Sequence, residues 1–238
     1  MKPIYTAATG VGLLFMASSA TRPAPFQEGS KRQSGYHGAT LKSRAAEAKA
    51  QGKHEVTVGV PSDIPQNVPS LDHALANFLV IVGRPIATQI VVEHDADIVT
   101  WYKFHIDTIL SNRPHHVSQI TLDILSDEMK PTQLLPIAKD EIVVMRPGGT
   151  PIVDGVAITE RNPHFPPFDT TKTYLLFLFN SPDGLAYVGM EAAGTFEIDN
   201  DKLLPLGRDD HPVVQDMKTL YGNSLSRARE AIESRVEK

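Results

Sequence analysis

Between Phe78 and Leu206 the chain is a succession of short apolar or alternating segments: Phe78–Val82, Trp101–Ile106, Glu141–Met145, Tyr174–Phe179 and Thr195–Ile198. Most are separated by Gly, Pro, Asn or Asp. Segments of this length with period-two alternation, punctuated by turn formers, predict a small antiparallel barrel or sandwich. Composition agrees: 16 Gly and 18 Pro in 238 residues suit a turn-rich β protein better than a helical bundle, and 41% apolar residues suffice for a core. The length fits one domain with elaborations, or a small domain with flanking helices.

Charge and cysteine content narrow the chemistry. A net charge of -5 with no Lys/Arg stripe argues against nucleic acid as a partner, because phosphate contacts need clustered cations. With no Cys, a disulfide framework, a thiol nucleophile, a thiolate metal site and an iron–sulfur cluster are all ruled out.

The N-terminus predicts export. Lys2 provides a positive n-region, Ala7 to Ala20 a mostly apolar h-region, and Ser18-Ser19-Ala20 small residues at a cleavage site. Residues 1–20 are read as a signal peptide too short for a stable membrane span, placing the mature chain in a secreted or periplasmic compartment. Residues 21–39, rich in Pro, Gly, Ser and Gln, read as a flexible linker.

Residues 40–69 form a helix-and-strand extension. Leu41–Gln51 carries strong helix formers with Gly52 at the C-terminal cap, and Glu55–Val60 alternates Val with polar residues until Pro61 stops it. Residues 70–207 make up the β domain. Ser70 is an N-cap for a short helix from Leu71 to Asn77, and Gly83 permits a bulge or curl before Pro85. From Val99 to Leu110, Tyr102, Phe104, Ile106 and Thr108 share one face, and Trp101, Lys103, His105 and Asp107 the other. Asn112 to Ala138 reads as an insertion, Thr150–Thr159 as a hairpin turning at Asp154-Gly155, and Tyr174–Phe179 as the most buried strand. Residues 208–238 form a C-terminal helical segment with apolar residues at helical spacing, broken near Gly222-Asn223.

With the strands in order, three stretches carry a resemblance: Asp72–Arg84, the long strand Trp101–Leu110, and Lys172–Leu178 after a long excursion. Across about 130 residues they resemble netrin-like and tissue-inhibitor-of-metalloproteinase-like domains of bacterial secreted proteins. The resemblance implies an OB-type fold: mainly β, an antiparallel barrel with flanking N-terminal and C-terminal helices. It does not carry the inhibitor function, which depends on an N-terminal Cys that this chain lacks.

Two surfaces stand out as binding candidates. The face bearing Trp101, Lys103 and His105 lies where an OB-type barrel takes its ligands, against the plainer reading that Trp101 covers a barrel end. The loop with Phe165 and Phe168 sets aromatics beside Pro166 and Pro167, an arrangement that docks partners when exposed and plugs a core when buried. His115-His116, with His94, Asp95 and Asp97 nearby, lacks metal-ligand spacing, so neither a metal nor a cofactor is expected. No Gly-x-Ser-x-Gly, Ser-x-x-Lys, phosphate loop or dinucleotide fingerprint occurs in context, and no catalytic residue is assigned. The expectation is an exported, non-enzymatic barrel that binds a protein or cell-envelope component; the alternative is an envelope hydrolase or metal-dependent enzyme with an unfamiliar site.

Overall fold

The computed structural model describes residues 39–59, 68–93, 95–112, 132–162, 165–180, 185–188 and 190–236. The signal-peptide and linker readings, and those on His94, His115 and His116, lie outside the described residues. The described chain is mainly β, with two sheets and four α-helices. Among the described residues no helix is long and apolar enough to cross a membrane.

Helix α1 (Leu41–Ala50) starts at Thr40, whose side chain accepts from the Ser43 amide, and turns out at Gly52, with φ of 67°. Its inward residues Leu41, Ala45 and Ala48 pack on a three-stranded sheet of β1 (Glu55–Gly59), β5 (Ile152–Val153) and β6 (Val156–Arg161). Strands β5 and β6 form the hairpin expected at Asp154-Gly155; both residues have positive φ, 49° and 78°, as a type I′ turn requires. β1 pairs with β6 in parallel. Helix α2 (Leu71–Asn77) is capped by Ser70, whose side chain accepts from the His73 amide, and leads into the larger sheet.

That sheet has seven strands in the order β10-β9-β7-β2-β3-β4-β8. They are β2 (Leu79–Glu93), β3 (Asp97–Ser111), β4 (Glu141–Pro147), β7 (Thr173–Asn180), β8 (Leu185–Val188), β9 (Thr195–Asp199) and β10 (Lys202–Pro205). β8 pairs with β4 in parallel and also with the end of β7, antiparallel. The expectation of purely antiparallel pairing is therefore corrected at two places, β1–β6 and β4–β8; in both, strands distant in sequence lie side by side.

β2 is longer than its sequence suggests. It continues through Pro85 to Glu93 and forms a fifteen-residue hairpin arm with β3, turning where Asp95 has φ of 58°. Proline is tolerated there because β7 pairs only with Leu79–Gly83, so the missing N–H breaks no second ladder. The bulge expected at Gly83 is present: the β2–β3 register shifts between Val82 and Gly83 and again between Pro85 and Ala87. A Cβ on Gly83 would lie 2.5 Å from the His105 carbonyl oxygen, so the two backbones can approach only with glycine.

Two cores lie on opposite faces of the large sheet. One collects Leu79, Ile81, Tyr102, Phe104, Ile142, Val144, Leu176, Leu178 and Ala186, drawn from β2, β3, β4, β7 and β8. On the other face of β2 and β7, Val80, Val82, Leu175 and Phe177 pack under α2, α3 (Pro212–Tyr221) and α4 (Leu225–Val236). β7 is buried on both faces, as its unbroken apolar run requires. Gly222 and Asn223, both left-handed, break the C-terminal helical segment into α3 and α4.

Candidate functional site

The alternation of β3 places Tyr102 and Phe104 in the core shared by five strands, and Trp101, Lys103 and His105 on the opposite face. That second face is not an open aromatic platform. Trp101 is 0% exposed, packed with Val91, Val99, Val143 and Leu134, the last carried by the helical turn Thr132–Leu134. The expected exposed Trp101 is therefore corrected to a core residue. Sequence could not show its cover, because Leu134 lies in the stretch read as an insertion. Among the described residues the Trp101 Nε1 finds no hydrogen-bond acceptor.

Lys103 and His105 are instead tied into a charged network. Lys103 Nζ lies 2.9 Å from Glu141 Oε2 and donates to the Pro136 carbonyl at 2.8 Å. Glu141 Oε2 also accepts from the Ala138 amide at 2.8 Å. That amide first, and Lys103 second, hold the Glu141 carboxyl below its ordinary range. His105 lies between two aspartates, with Nδ1 3.3 Å from Asp140 Oδ2 and Nε2 3.6 Å from Asp107 Oδ1; Asp107 also takes Arg84 Nη1 at 3.1 Å. The network spans β2, β3 and the start of β4, with His105 partly open to solvent.

Phe165 and Phe168 correct the second candidate surface: they are 1% and 5% exposed. Phe168 sits edge-on to Tyr102, Phe104, Tyr174 and Phe165, with centroids 5.0 to 5.7 Å apart. This T-shaped geometry favours aromatic pairs. The loop is therefore a plug, with Phe165 and Phe168 buried in the core that the five strands share. It is pinned below by Tyr174, whose hydroxyl accepts from the Asp169 amide at 2.8 Å, and by Asp169, which accepts from the Thr171 amide and hydroxyl.

Sequence reading passed over the residue that anchors this plug. Arg146 is 3% exposed; its Nε donates to the Pro166 carbonyl at 3.0 Å, its Nη2 donates to the Phe165 carbonyl, and its guanidinium lies over the Phe165 ring at 5.2 Å. Burial lowers the Arg146 pKa and raises that of Tyr102. A signal was available, since Ile142, Val144 and Arg146 alternate on one face of β4 and the first two are apolar.

Among the described residues no group of three His, Asp or Glu side chains could hold a metal ion. An open depression of about 440 Å³ is lined by Asp201, Ser226, Arg229, Glu230 and Glu233. Asp201 serves there as a helix-start acceptor, taking the Ser226 amide at 2.8 Å and the Ser224 hydroxyl at 2.6 Å. Comparison with protein-family models, with curated proteins and with solved structures finds no match for this chain.

Proposed function

We propose that the chain is an exported, non-enzymatic binding protein built on an OB-like barrel, and that it engages a protein or cell-envelope component through the charged outer face of β3 and β4. The barrel reading is supported by strand pairing: β2 to β3, β3 to β4, β4 to β8 in parallel, β8 to β7, and β7 back to β2. A five-stranded circuit is what an OB-type Greek-key barrel needs, and the parallel β4–β8 contact is its one departure from antiparallel pairing.

The observation that carries the binding reading is the filled interior. Side chains from all five strands occupy it and Phe165 and Phe168 plug it, so a ligand has only the outside to meet. Of the residues nominated from sequence, Lys103 and His105 remain at that surface, flanked by Arg84, Asp107, Asp140 and Glu141. Charged rims of this kind set specificity and association rate more than affinity.

The test is chemical cross-linking of the wild-type chain and of a Lys103→Glu, His105→Glu double variant to envelope extract of the producing cell. Loss of the cross-linked species in the variant, with its circular dichroism unchanged, is the expected result. The same species in both proteins would remove this face from the account, and hydrolysis by the wild type that a chelator abolishes would replace the binding reading with an enzymatic one.

A further inference from the structure

The face proposed for a partner is already engaged by a piece of the chain itself. Residues 133–140 cross the outside of β3 as a strap. Leu134 and Ile137 lie on the cluster of Trp101, Val99 and Val143, and every other residue of the strap is exposed. Both charged residues of the face are turned to it. Lys103 Nζ donates to the Pro136 carbonyl, and His105 Nδ1 lies 3.3 Å from Asp140 Oδ2. Only 15% of the Lys103 side chain is left exposed, so a partner that needs Lys103 meets the strap first.

The ties that hold the strap are of a kind that exchanges readily with water. The Gln133 amide donates to Gln89 Oε1 at 3.0 Å, Lys103 to the Pro136 carbonyl at 2.8 Å, and the Ala138 amide to Glu141 Oε2 at 2.8 Å, all in exposed positions. Exposed polar contacts contribute little each, because water satisfies either partner when they part. Leu134 is the one buried side chain of the strap. Segments with so few buried contacts open locally well before the fold does. A pivot is present at the turn Lys139-Asp140, where the Ile106 amide holds the Asp140 carbonyl at 2.8 Å, so the strap can lift while β4 stays paired with β3. We propose that residues 133–140 are an autoinhibitory strap: closed, they occupy the Lys103–His105 face and cover Trp101; lifted, they free both charged residues and bare the apolar bed beneath for the partner. This rests on the binding reading above and adds its regulation, since the apparent affinity for a partner scales with the fraction of chains whose strap is lifted.

Trp101 is the chain's one tryptophan, so its fluorescence reports the strap directly. Acrylamide is expected to quench it poorly in the full-length wild type. Ala138→Pro removes the amide that Glu141 holds and leaves Lys103, His105 and Trp101 in place. It is expected to raise the quenching constant several-fold and move the emission to longer wavelength, with circular dichroism unchanged. Leu220→Ala, at an exposed position of α3, is expected to change neither. Because the chain has no cysteine, a Gln89→Cys, Gln133→Cys double variant offers two neighbouring thiols that a bismaleimide bridges, pinning the strap down. Bridging is expected to lower Trp101 quenching and, in cross-linking to envelope extract, to lower the yield of the cross-linked species several-fold, whereas Ala138→Pro raises it. Equal quenching before and after bridging, or a yield that ignores the state of the strap, overturns the proposal. A chain that cross-links to nothing in any form defeats the binding reading, and this inference with it.

Discussion

Arg146 holds a guanidinium where water does not reach, with two carbonyl oxygens and an aromatic ring as its surroundings. Those carbonyls belong to the plug, so removing the side chain leaves buried acceptors unpaired and the Phe165 ring uncovered. Arg146→Ala is expected to cost about 2–4 kcal/mol and to open residues 162–169 to protease, read by urea unfolding and limited proteolysis. Glu141 gives a pH prediction. Its folded pKa is depressed, so its contribution is fully present above the ordinary carboxylate pKa, about 4.3, and is lost as pH falls through the lower folded value. Glu141→Gln is expected to flatten the acid side of the stability–pH curve, checked by melts from pH 7 to 3. At this scale sequence disclosed positions and not surroundings. The alternation of β3 sorted Trp101 from Tyr102 correctly, but what covers Trp101 comes from Leu134, more than thirty residues away, and no local pattern encodes that contact.

Elements whose boundaries are set by local chemistry were legible. Gly52 ends one helix and Ser70 caps another, Asp154-Gly155 turns a hairpin, and Gly222-Asn223 separates α3 from α4, each because one residue type satisfies a local backbone demand. What escaped was non-local. The apolar segment read as a strand ends at Val82, with a curl before Pro85, yet β2 runs on to Glu93 because the strand beside it has already ended. Gly83 tests the β2–β3 approach: Gly83→Ala sets a methyl 2.5 Å from the His105 carbonyl oxygen and is expected to destabilise the fold by about 1–3 kcal/mol, measured by denaturant unfolding. α4 is tied to the loop before β10, since Asp201 accepts from Ser224 and Ser226 at its start. Asp201→Ala is expected to lower the melting temperature by a few degrees, with the loss of α4 amide protection preceding global unfolding.

For the whole molecule, mainly-β architecture with flanking helices could be read from the alternating segments between Phe78 and Leu206, but strand order could not. β4 and β8 are separated by the β5–β6 hairpin, the plug and β7, and their parallel contact depends on how those pieces stack. That contact matters for the proposed function, which rests on reading the five-strand circuit as a barrel with a filled interior and recognition on its outside. Solution NMR with cross-strand NOEs tests this most directly. The account predicts contacts between Val144 and Ala186 across β4–β8, and between Phe179 and Tyr187 across β7–β8, both persisting in one folded species. Contacts from β8 to only one of these strands would contradict it, reopening the interior and the choice between a binding surface and an enclosed site.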